Sequence, residues 1–544
     1  MDDDDSGLIP PLRNSAQPRD KEPAGKNIDK LIHWQRQRIE RRLRGDYESA
    51  VIHLSSLINA NLESPARIAA IRVEGATRAR RSFLGHLIAP HLQNTETNDL
   101  QTTLNTARYL AHLLNKTDIF SHVAVNVEHA RNSLAASNDV DLVFTTKERG
   151  RLYLNSSTEL GNNEGTASAT GRIRNVFGGA ETFEANVAFG TKTRRAYRAS
   201  LTAPISRDLD TTAEFSTYGL ERDLTSYASC FEGLRGLKAV VRRGYPAWGM
   251  HEFAYEGVVR HLASLTPSAS LSMREAAGFS TKSSISHTFT FDTRQDKVFS
   301  TRLDKLTSLT SPGTYLKLYQ ELAGLGFLGG DAKFYKGEIE AKRGFGITKG
   351  ATLSLTARSG LLWGLGSSGK TLFSDRFQLG GPTSVRGFMT NGMGPRDGSD
   401  SIGGDAYWSL GASFISDIPK KSSWPVKLHA WVNAGRLEGI NRTIPPKEAL
   451  GQTRDSLLQL PSVAAGIGLI YRFDPIRVEL NFGLPLVAST HEKGKRGLQV
   501  GMGAHLQVVE FIKANTGNRC IMDSVTDSHA ELKRFNTDLA IFTD

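Results

Sequence analysis

From residue 149 to about residue 507 the chain alternates between apolar and polar positions, in short runs separated by turn signals. In Ile476–Phe482, the residues Ile476, Val478, Leu480 and Phe482 take one face, and Arg477, Glu479 and Asn481 take the other. Tyr335, Ile339 and Ala341 oppose Lys336, Glu338, Glu340 and Lys342 in the same way. So do Leu353, Leu355 and Ala357 against Thr352, Ser354, Thr356 and Arg358. A period of two marks a strand with unlike faces. A soluble sandwich also alternates, but no long helical pattern interrupts this series. It holds about sixteen candidate strands of ~10 residues each, which fits the even-stranded transmembrane barrel. Barrels are forced on lipid-embedded sheets, because an open edge would leave backbone groups unpaired in hydrocarbon.

Upstream the period changes. Arg67–Gly75 reads as a strand ending in a glycine turn, and Arg78–Leu92 as a helix. A second helix runs from Asn98 to Leu114, with Leu100, Leu104, Ala107, Leu110, Ala111 and Leu114 on one face. Val123–Val127 and Val140–Phe144 are two more strands. Residues 66–148 therefore form a small α+β unit ahead of the strand series. Before it, residues 26–62 read as helical, with Leu31, Ile32, Ile39 and Leu43 among Arg36, Arg38, Arg41, Arg42 and Arg44. That stretch is either a solvated basic helix or one that touches anionic lipid or a partner. Residues 1–25 are polar and read as disordered. The division is thus 1–65, a polar segment with a basic helix; 66–148, the α+β unit; 149–507, the barrel; and 508–544, a tail of unknown role.

Composition changes this picture little. At 544 residues the chain is too long for one ordinary domain. No run of 18 apolar residues exists, which argues against a transmembrane helix but not against a barrel. The formal charge of +11 is spread through the chain, so nucleic acid is not an expected partner. The two cysteines, Cys230 and Cys520, imply no disulfide framework. The opening MDDDD resembles neither a secretory signal nor a transit peptide, which favours insertion from a cytosol by an internal signal.

Several motifs invite chemistry. Gly364–Thr371 fits the phosphate-binding pattern G-x-x-x-x-G-K-[ST], with Lys370 and Thr371 in the ligand positions. The motif needs a helix starting at the lysine. The segment after it is short and ends at Gly380-Gly381-Pro382, so a nucleotide-binding enzyme is the outlying alternative. Gly324–Gly329 matches G-x-G-x-x-G but precedes a strand, so it reads as a hairpin turn. No G-x-S-x-G elbow or metal-spaced His/Cys cluster occurs, and His251, His261 and His287 read as wall or loop residues. No catalytic residue, cofactor or metal is expected.

The most informative stretch is LGGPTSVRGF, residues 379–388. Its glycines and proline forbid a helix. Val385, Arg386, Gly387 and Phe388 then combine a planar charge, a close-approach backbone and an apolar anchor. Within a long strand series this resembles the lumen loop of the outer-membrane β-barrel assembly superfamily, the bacterial surface antigen family. Phe291–Asp296 resembles that family's D-T-R motif, although Val298–Arg302 replace the proline and glycine expected after it. Gly403–Trp408 resembles the strand after the lumen loop. Trp431–Gly435 resembles the next strand's aromatic–x–Asp–x–Gly, with Asn433 in place of aspartate. Gln499–Leu506 resembles the final strand that serves as an assembly signal. Residues 66–148 resemble a polypeptide-transport-associated (POTRA) domain. The asparagine, Asn481–Leu486, the single POTRA-like unit and the lack of a signal peptide resemble the mitochondrial branch, the central barrel subunits of the sorting and assembly machinery.

The resemblance implies a sixteen-stranded antiparallel transmembrane barrel in the mitochondrial outer membrane, with its POTRA-like domain in the intermembrane space. It implies an insertase for β-barrel precursor proteins, working with accessory subunits in the lipid bilayer. A passive pore or secretion channel of the same superfamily is the alternative. The lumen loop would lock onto the wall through Arg386, with Asn433 and Gly435 as its partners there, and Glu479 or Glu338 supplying charge. A lateral seam would join the strand carrying Leu152 and Leu154 to the one carrying Gln499, Gly501 and Gly503.

Overall fold

A computed structural model of the chain describes residues 28–43 and 57–504, apart from breaks at 93–98, 132–135, 137, 162–163, 246, 295–312, 325, 327–328, 349, 367–368, 383, 420–423, 443 and 474–475. The polar segment 1–25, the D-T-R motif beyond Arg294 and the tail from 508 lie outside the described residues.

The basic stretch forms helix α1, Ile28–Leu43, with Ile32 and Ile39 exposed. The small unit follows as β1 (Arg67–Glu74), α2 (Arg81–Leu92), α3 (Leu100–Lys116), β2 (Phe120–His129) and β3 (Asp139–Glu148). Its sheet order is β1-β3-β2, with β1 parallel and β2 antiparallel to β3. Ala107, Leu110 and Leu114 recur at helical spacing along α3 and bury against Leu142 and Phe144 of β3. Helix α2 starts three residues later than the pattern suggests. The amides of Arg78 and Arg80 are used elsewhere: the first donates to Glu148 (2.8 Å) and the second to the carbonyl of Gly178 (2.8 Å).

The larger sheet has sixteen strands, each antiparallel to the next. In chain order they are β4 (Leu152–Gly161), β5 (Glu164–Arg174), β6 (Thr182–Gly190), β7 (Thr193–Pro204), β8 (Thr211–Asp223), β9 (Phe231–Tyr245), β10 (Gly249–Ala263), β11 (Gly278–Asp292), β12 (Gly313–Ala323), β13 (Phe334–Thr348) and β14 (Ala351–Gly364). Short helices α4 (Thr225–Ala228) and α5 (Leu271–Ala276) stand in the β8–β9 and β10–β11 connections, and a short hairpin, β15 (Arg396–Asp397) and β16 (Asp400–Ser401), stands outside the sheet. The wall resumes with β17 (Ala406–Asp417), β18 (Val426–Glu438), β19 (Ser462–Phe473), β20 (Ile476–Val487) and β21 (Gly497–Ala504). Parts of the first and last strands approach within 8 Å between Cα atoms. No ladder pairs β4 with β21 among the described residues.

The alternation is inverted relative to a soluble sheet. Phe215, Phe253, Ile339, Leu355, Ile467 and Phe482 are exposed on the outside, whereas Glu214, Arg260, Lys282, Glu321, Ser354 and Glu479 are buried within. Polar lumen and apolar exterior are what a membrane barrel requires. The inward charges satisfy one another: the Lys282 ammonium lies 2.7 Å from both Glu256 and Glu321. Isolated, each would carry a heavy desolvation cost.

The small unit sits at the end of the barrel where β4 begins. Arg80 pairs with Glu181 in the β5–β6 turn (2.6 Å). Lys116 pairs with Asp210 in the β7–β8 turn. Asp118 accepts from Arg149 (2.6 Å) and Arg174 (3.2 Å), at the roots of β4 and β5. Leu209 from the β7–β8 turn joins the unit's own core. Because the strand count is even, β21 ends on this same side. At the opposite end, the strands on either side of Gly324–Gly329, β12 and β13, pair antiparallel as a hairpin.

Candidate functional site in the barrel lumen

Between β14 and β17 the chain makes no simple hairpin. Residues 365–405 turn inward, because their apolar side chains have only the lumen in which to bury. Phe377, Leu379, Val385, Phe388 and Met393 form one cluster with Phe334, Leu362, Trp431, Leu437 and Ala464 of the wall. Phe388 is 1% exposed and Val385 0%. Burying a ring of this size contributes roughly 1.5–3 kcal/mol over leaving it in water.

Charge fixes the loop at its two shoulders. Asp375, in a 3₁₀ turn at Phe373–Asp375, meets the Arg260 guanidinium of β10 at 2.7 Å, with both side chains buried. Asp405 accepts from the Thr371 hydroxyl (2.8 Å) and from the Ile440 amide (3.1 Å). Thr371 therefore ties down the loop's root, and the segment after Lys370 runs into the 3₁₀ turn. The α-helix that a phosphate-binding loop needs does not follow.

The tip is built on glycines. Gly380, Gly381 and Gly387 all hold positive φ (107°, 111° and 83°), a region that side chains rarely enter. At Gly387 a Cβ would also stand 2.6 Å from the Ala464 methyl. This lets the Arg386 guanidinium reach the face of Trp431, 5.6 Å above the ring. The indole itself lies flat over β19 and β20. Added Cβ atoms at Gly466 and Gly483 would come within 2.5 and 2.9 Å of it. Two wall glycines thus make the floor, Trp431 the shelf, and Arg386 rests on it as a cation over an aromatic face.

Asn433 and Gly435 both touch the loop, in a different manner from the one the sequence suggests. The Asn433 amide donates to the carbonyl of Ser384 (3.2 Å). Its Oδ1 has no hydrogen-bond partner among the described residues, so the expected bond from Arg386 to this oxygen is not made. The loop arrives with Ser384 over Asn433, which carries Arg386 on to Trp431. A Cβ at Gly435 would press on Val385 (3.0 Å) and Leu379 (3.3 Å), so its absence makes room for the loop. Glu479 is buried on the inward face of β20, and Glu338 lies on β13.

A second tether had no sequence signal. The loop pairs by backbone with residues 493–495, between β20 and β21. The Lys495 amide donates to Gly387 (2.8 Å), Met389 to Lys493 (2.9 Å), and Lys493 to Gly392 (3.0 Å). Main-chain bonds can be made by any residue, so no motif marks them. Trp431 shares the inward parity of Asn433 along β18, but only the structure identifies it as the shelf.

The seam residues form a separate place. Leu152 and Leu154 point outward from β4, each 43% exposed. Gln499, Gly501 and Gly503 lie on β21 opposite Asn481, Glu479 and Arg477 of β20. The 488–496 turn connects the two places, since it meets the lumen loop and leads into β21.

Comparisons with known proteins agree with this geometry. The Omp85 superfamily domain matches residues 175–505. A SAM50-like protein of Schizosaccharomyces pombe is 34% identical over 456 residues, covering 83% of this chain and 93% of its own. A sorting and assembly machinery component 50 homolog of Homo sapiens is 30% identical over 392 residues, 71% and 79% of the two chains. Among solved structures, BamA from Haemophilus ducreyi lacking POTRA domains 1–3 shares the fold. Its TM-score is 0.65 at 15% identity, covering 81% of this chain and 85% of that one.

Proposed function

This chain belongs to the Omp85 superfamily as a barrel subunit of the SAM50 type, and from that premise we propose that it inserts β-barrel precursors into the mitochondrial outer membrane by templating their strands at the β4–β21 seam. The observation that carries the reading is the seam itself: two neighbouring strands without ladder pairing among the described residues. An arriving strand would otherwise bring unpaired amides into hydrocarbon, each costing several kcal/mol. An available edge removes that cost by strand addition. Gly501 and Gly503 favour such an edge, since glycine packs little in a strand. The lumen loop holds the barrel's interior while the edge exchanges partners, and the step needs no covalent chemistry.

In this proposal residues 66–148 act as a POTRA-like domain in the intermembrane space, and accessory subunits complete the assembly complex. The packed loop 365–405 counts against a passive pore. The run of Thr371 into a 3₁₀ turn counts against nucleotide binding, so Lys370→Ala should leave client assembly unchanged in an import assay.

The direct test places cysteines at Gly503 and, separately, at Leu154, with a second cysteine scanned along the last strand of a client during import. Templating gives crosslinks at alternate client positions from both edges. A client that assembles normally yet crosslinks at neither edge in any register removes the mechanism.

A further inference from the structure

The connection between β18 and β19 carries a helix, α6, Pro446–Leu458, whose placement the insertase reading does not use. It lies against the outside of the barrel. Trp408 and Arg436 are cross-strand partners on β17 and β18. They share the parity of the exposed Leu410, Phe414, Leu428 and Val432, whereas Ser409 and Ser413 are buried inside. The Trp408 indole donates to the carbonyl of Leu457 (2.9 Å), and the Arg436 guanidinium to that of Leu460 (2.8 Å). The last carbonyls of a helix have no partner within it. Here the outer wall supplies one, which holds α6 at the barrel's rim.

The helix has three faces at about 100° per residue. Ala449 and Thr453 are buried. Glu448, Gln452 and Asp455 form a polar side. Between them, Leu450, Arg454 and Leu458 follow at i, i+4 and i+8, with Lys447 beside them. Leu450 is 41% exposed, Leu458 74%, and Leu460 just beyond the helix 79%. Three leucines thus stand in the open next to an outward tryptophan and arginine.

We propose that α6 is an interfacial helix resting on the bilayer, with Leu450, Leu458 and Leu460 at the boundary of headgroups and acyl chains and Lys447 and Arg454 on anionic lipid phosphates. Continuity with the lipid-facing wall carries the assignment. The apolar band of β17 and β18 ends at Trp408 and Arg436, the residue types that mark a barrel's interfacial girdle, and the leucine stripe begins there. Two cations sit within the apolar face, where long basic side chains reach up to phosphates while their stems stay in apolar surroundings. The carboxylates occupy the adjoining side, towards water; Arg454 pairs with Asp455 there (2.9 Å), an exposed pair that leaves further guanidinium donors for a phosphate. The inference rests on the barrel lying in a membrane and not on strand templating.

The test uses the full chain in nanodiscs of mixed anionic and zwitterionic phospholipid, with Cys520→Ser to leave only buried Cys230 as background. An environment-sensitive fluorophore is attached at Leu458→Cys, at Leu450→Cys and, as the polar-side control, at Asp455→Cys. Heat-modifiable electrophoresis confirms that each barrel is folded. Labels at 450 and 458 should be blue-shifted, lose intensity to lipids carrying a nitroxide near the headgroup, and resist iodide, while the label at 455 does the reverse. Equal iodide quenching at all three positions overturns the proposal. So does shielding of 450 and 458 that arises only after accessory proteins are added, which would assign the stripe to a protein partner.

Discussion

The lumen loop and the seam are both departures from a plain closed barrel, and they are held in opposite ways. The loop is fixed many times over: an apolar cluster, a buried ion pair at Asp375, a cation on Trp431 and three backbone bonds to residues 493–495. The seam has no ladder bonds among the described residues. β4 is laddered only to β5 and β21 only to β20 among the described residues, whereas every other strand of the wall is laddered on both sides. A sheet edge gains stability with each added pair of hydrogen bonds, so strands unpaired along one edge are the ones most readily exchanged. The contrast suggests a rigid interior around which a weak edge can open without loss of the barrel.

The largest expected effect comes from breaking the rigid half. Phe388→Ala removes a fully buried ring from the loop cluster, a change that costs about 3–5 kcal/mol of docking energy. The barrel should still insert and migrate as a heat-modifiable band. The loop should become open to added protease, and client assembly should fall. Wild-type protease resistance of this variant would show that the cluster does not hold the loop.

Arg386→Ala removes the cation above Trp431, an interaction worth about 0.5–2 kcal/mol. A slower assembly rate is expected at normal barrel abundance. Arg386→Lys should restore part of it, because an ammonium keeps the charge but loses the planar stacking of the guanidinium. Equal rates for all three proteins would place the loop's hold elsewhere, in the backbone bonds to 493–495.

Sharpening the weak half calls for a smaller change. Gly503→Val adds a β-branched side chain to β21, a gain on the order of 1 kcal/mol for a strand position. Client release should slow while the barrel becomes harder to unfold. Faster assembly in this variant would mean that edge stability does not limit exchange.

How much of this was legible beforehand follows the same division. The wall was readable because lipid imposes a period of two and leaves no alternative to closure; Leu355, Leu480 and Phe482 are exposed and Ser354, Glu479 and Asn481 buried, on the opposed faces that the alternation separates. The loop motif was readable because positive φ at Gly387 and a buried Phe388 demand those residue types. Its partners were not. Asn433 was sought as an acceptor by analogy with aspartate, but the loop's path puts its amide on the Ser384 carbonyl instead. The tether at 493–495 uses main-chain atoms that any sequence supplies. The start of α2 was misjudged by three residues, because the periodicity cannot reveal that the Arg78 and Arg80 amides are engaged by Glu148 and Gly178.

The smallest effect is expected where the small unit meets the barrel, and it tests whether this junction is a third, titratable element. Asp210 accepts from Lys116 and from the Tyr245 hydroxyl (2.6 Å). The bond from Lys116, followed by that from Tyr245, holds the Asp210 carboxyl below its ordinary value of 3.8. Burial is the largest influence on Lys116 and pushes it down, but its bonds to Asp210 and Tyr245, with their charges, together outweigh this and leave it above 10.5. A depressed carboxylate contributes stability that is complete above its ordinary value and is lost only as pH falls through the lower folded one. A raised lysine contributes below its ordinary value and loses that contribution as pH rises past the folded one. Both losses lie outside the range from pH 5 to pH 8, so hydrogen exchange at the β7–β8 turn should show no added opening there once intrinsic rates are divided out. Asp210→Asn should add only a slight opening, because an exposed pair of this kind is worth roughly 0–1 kcal/mol. A step in exchange between pH 5 and pH 8 that disappears in Asp210→Asn would make the junction a pH-responsive hinge, and the rigid part of the molecule would then end at the barrel's rim.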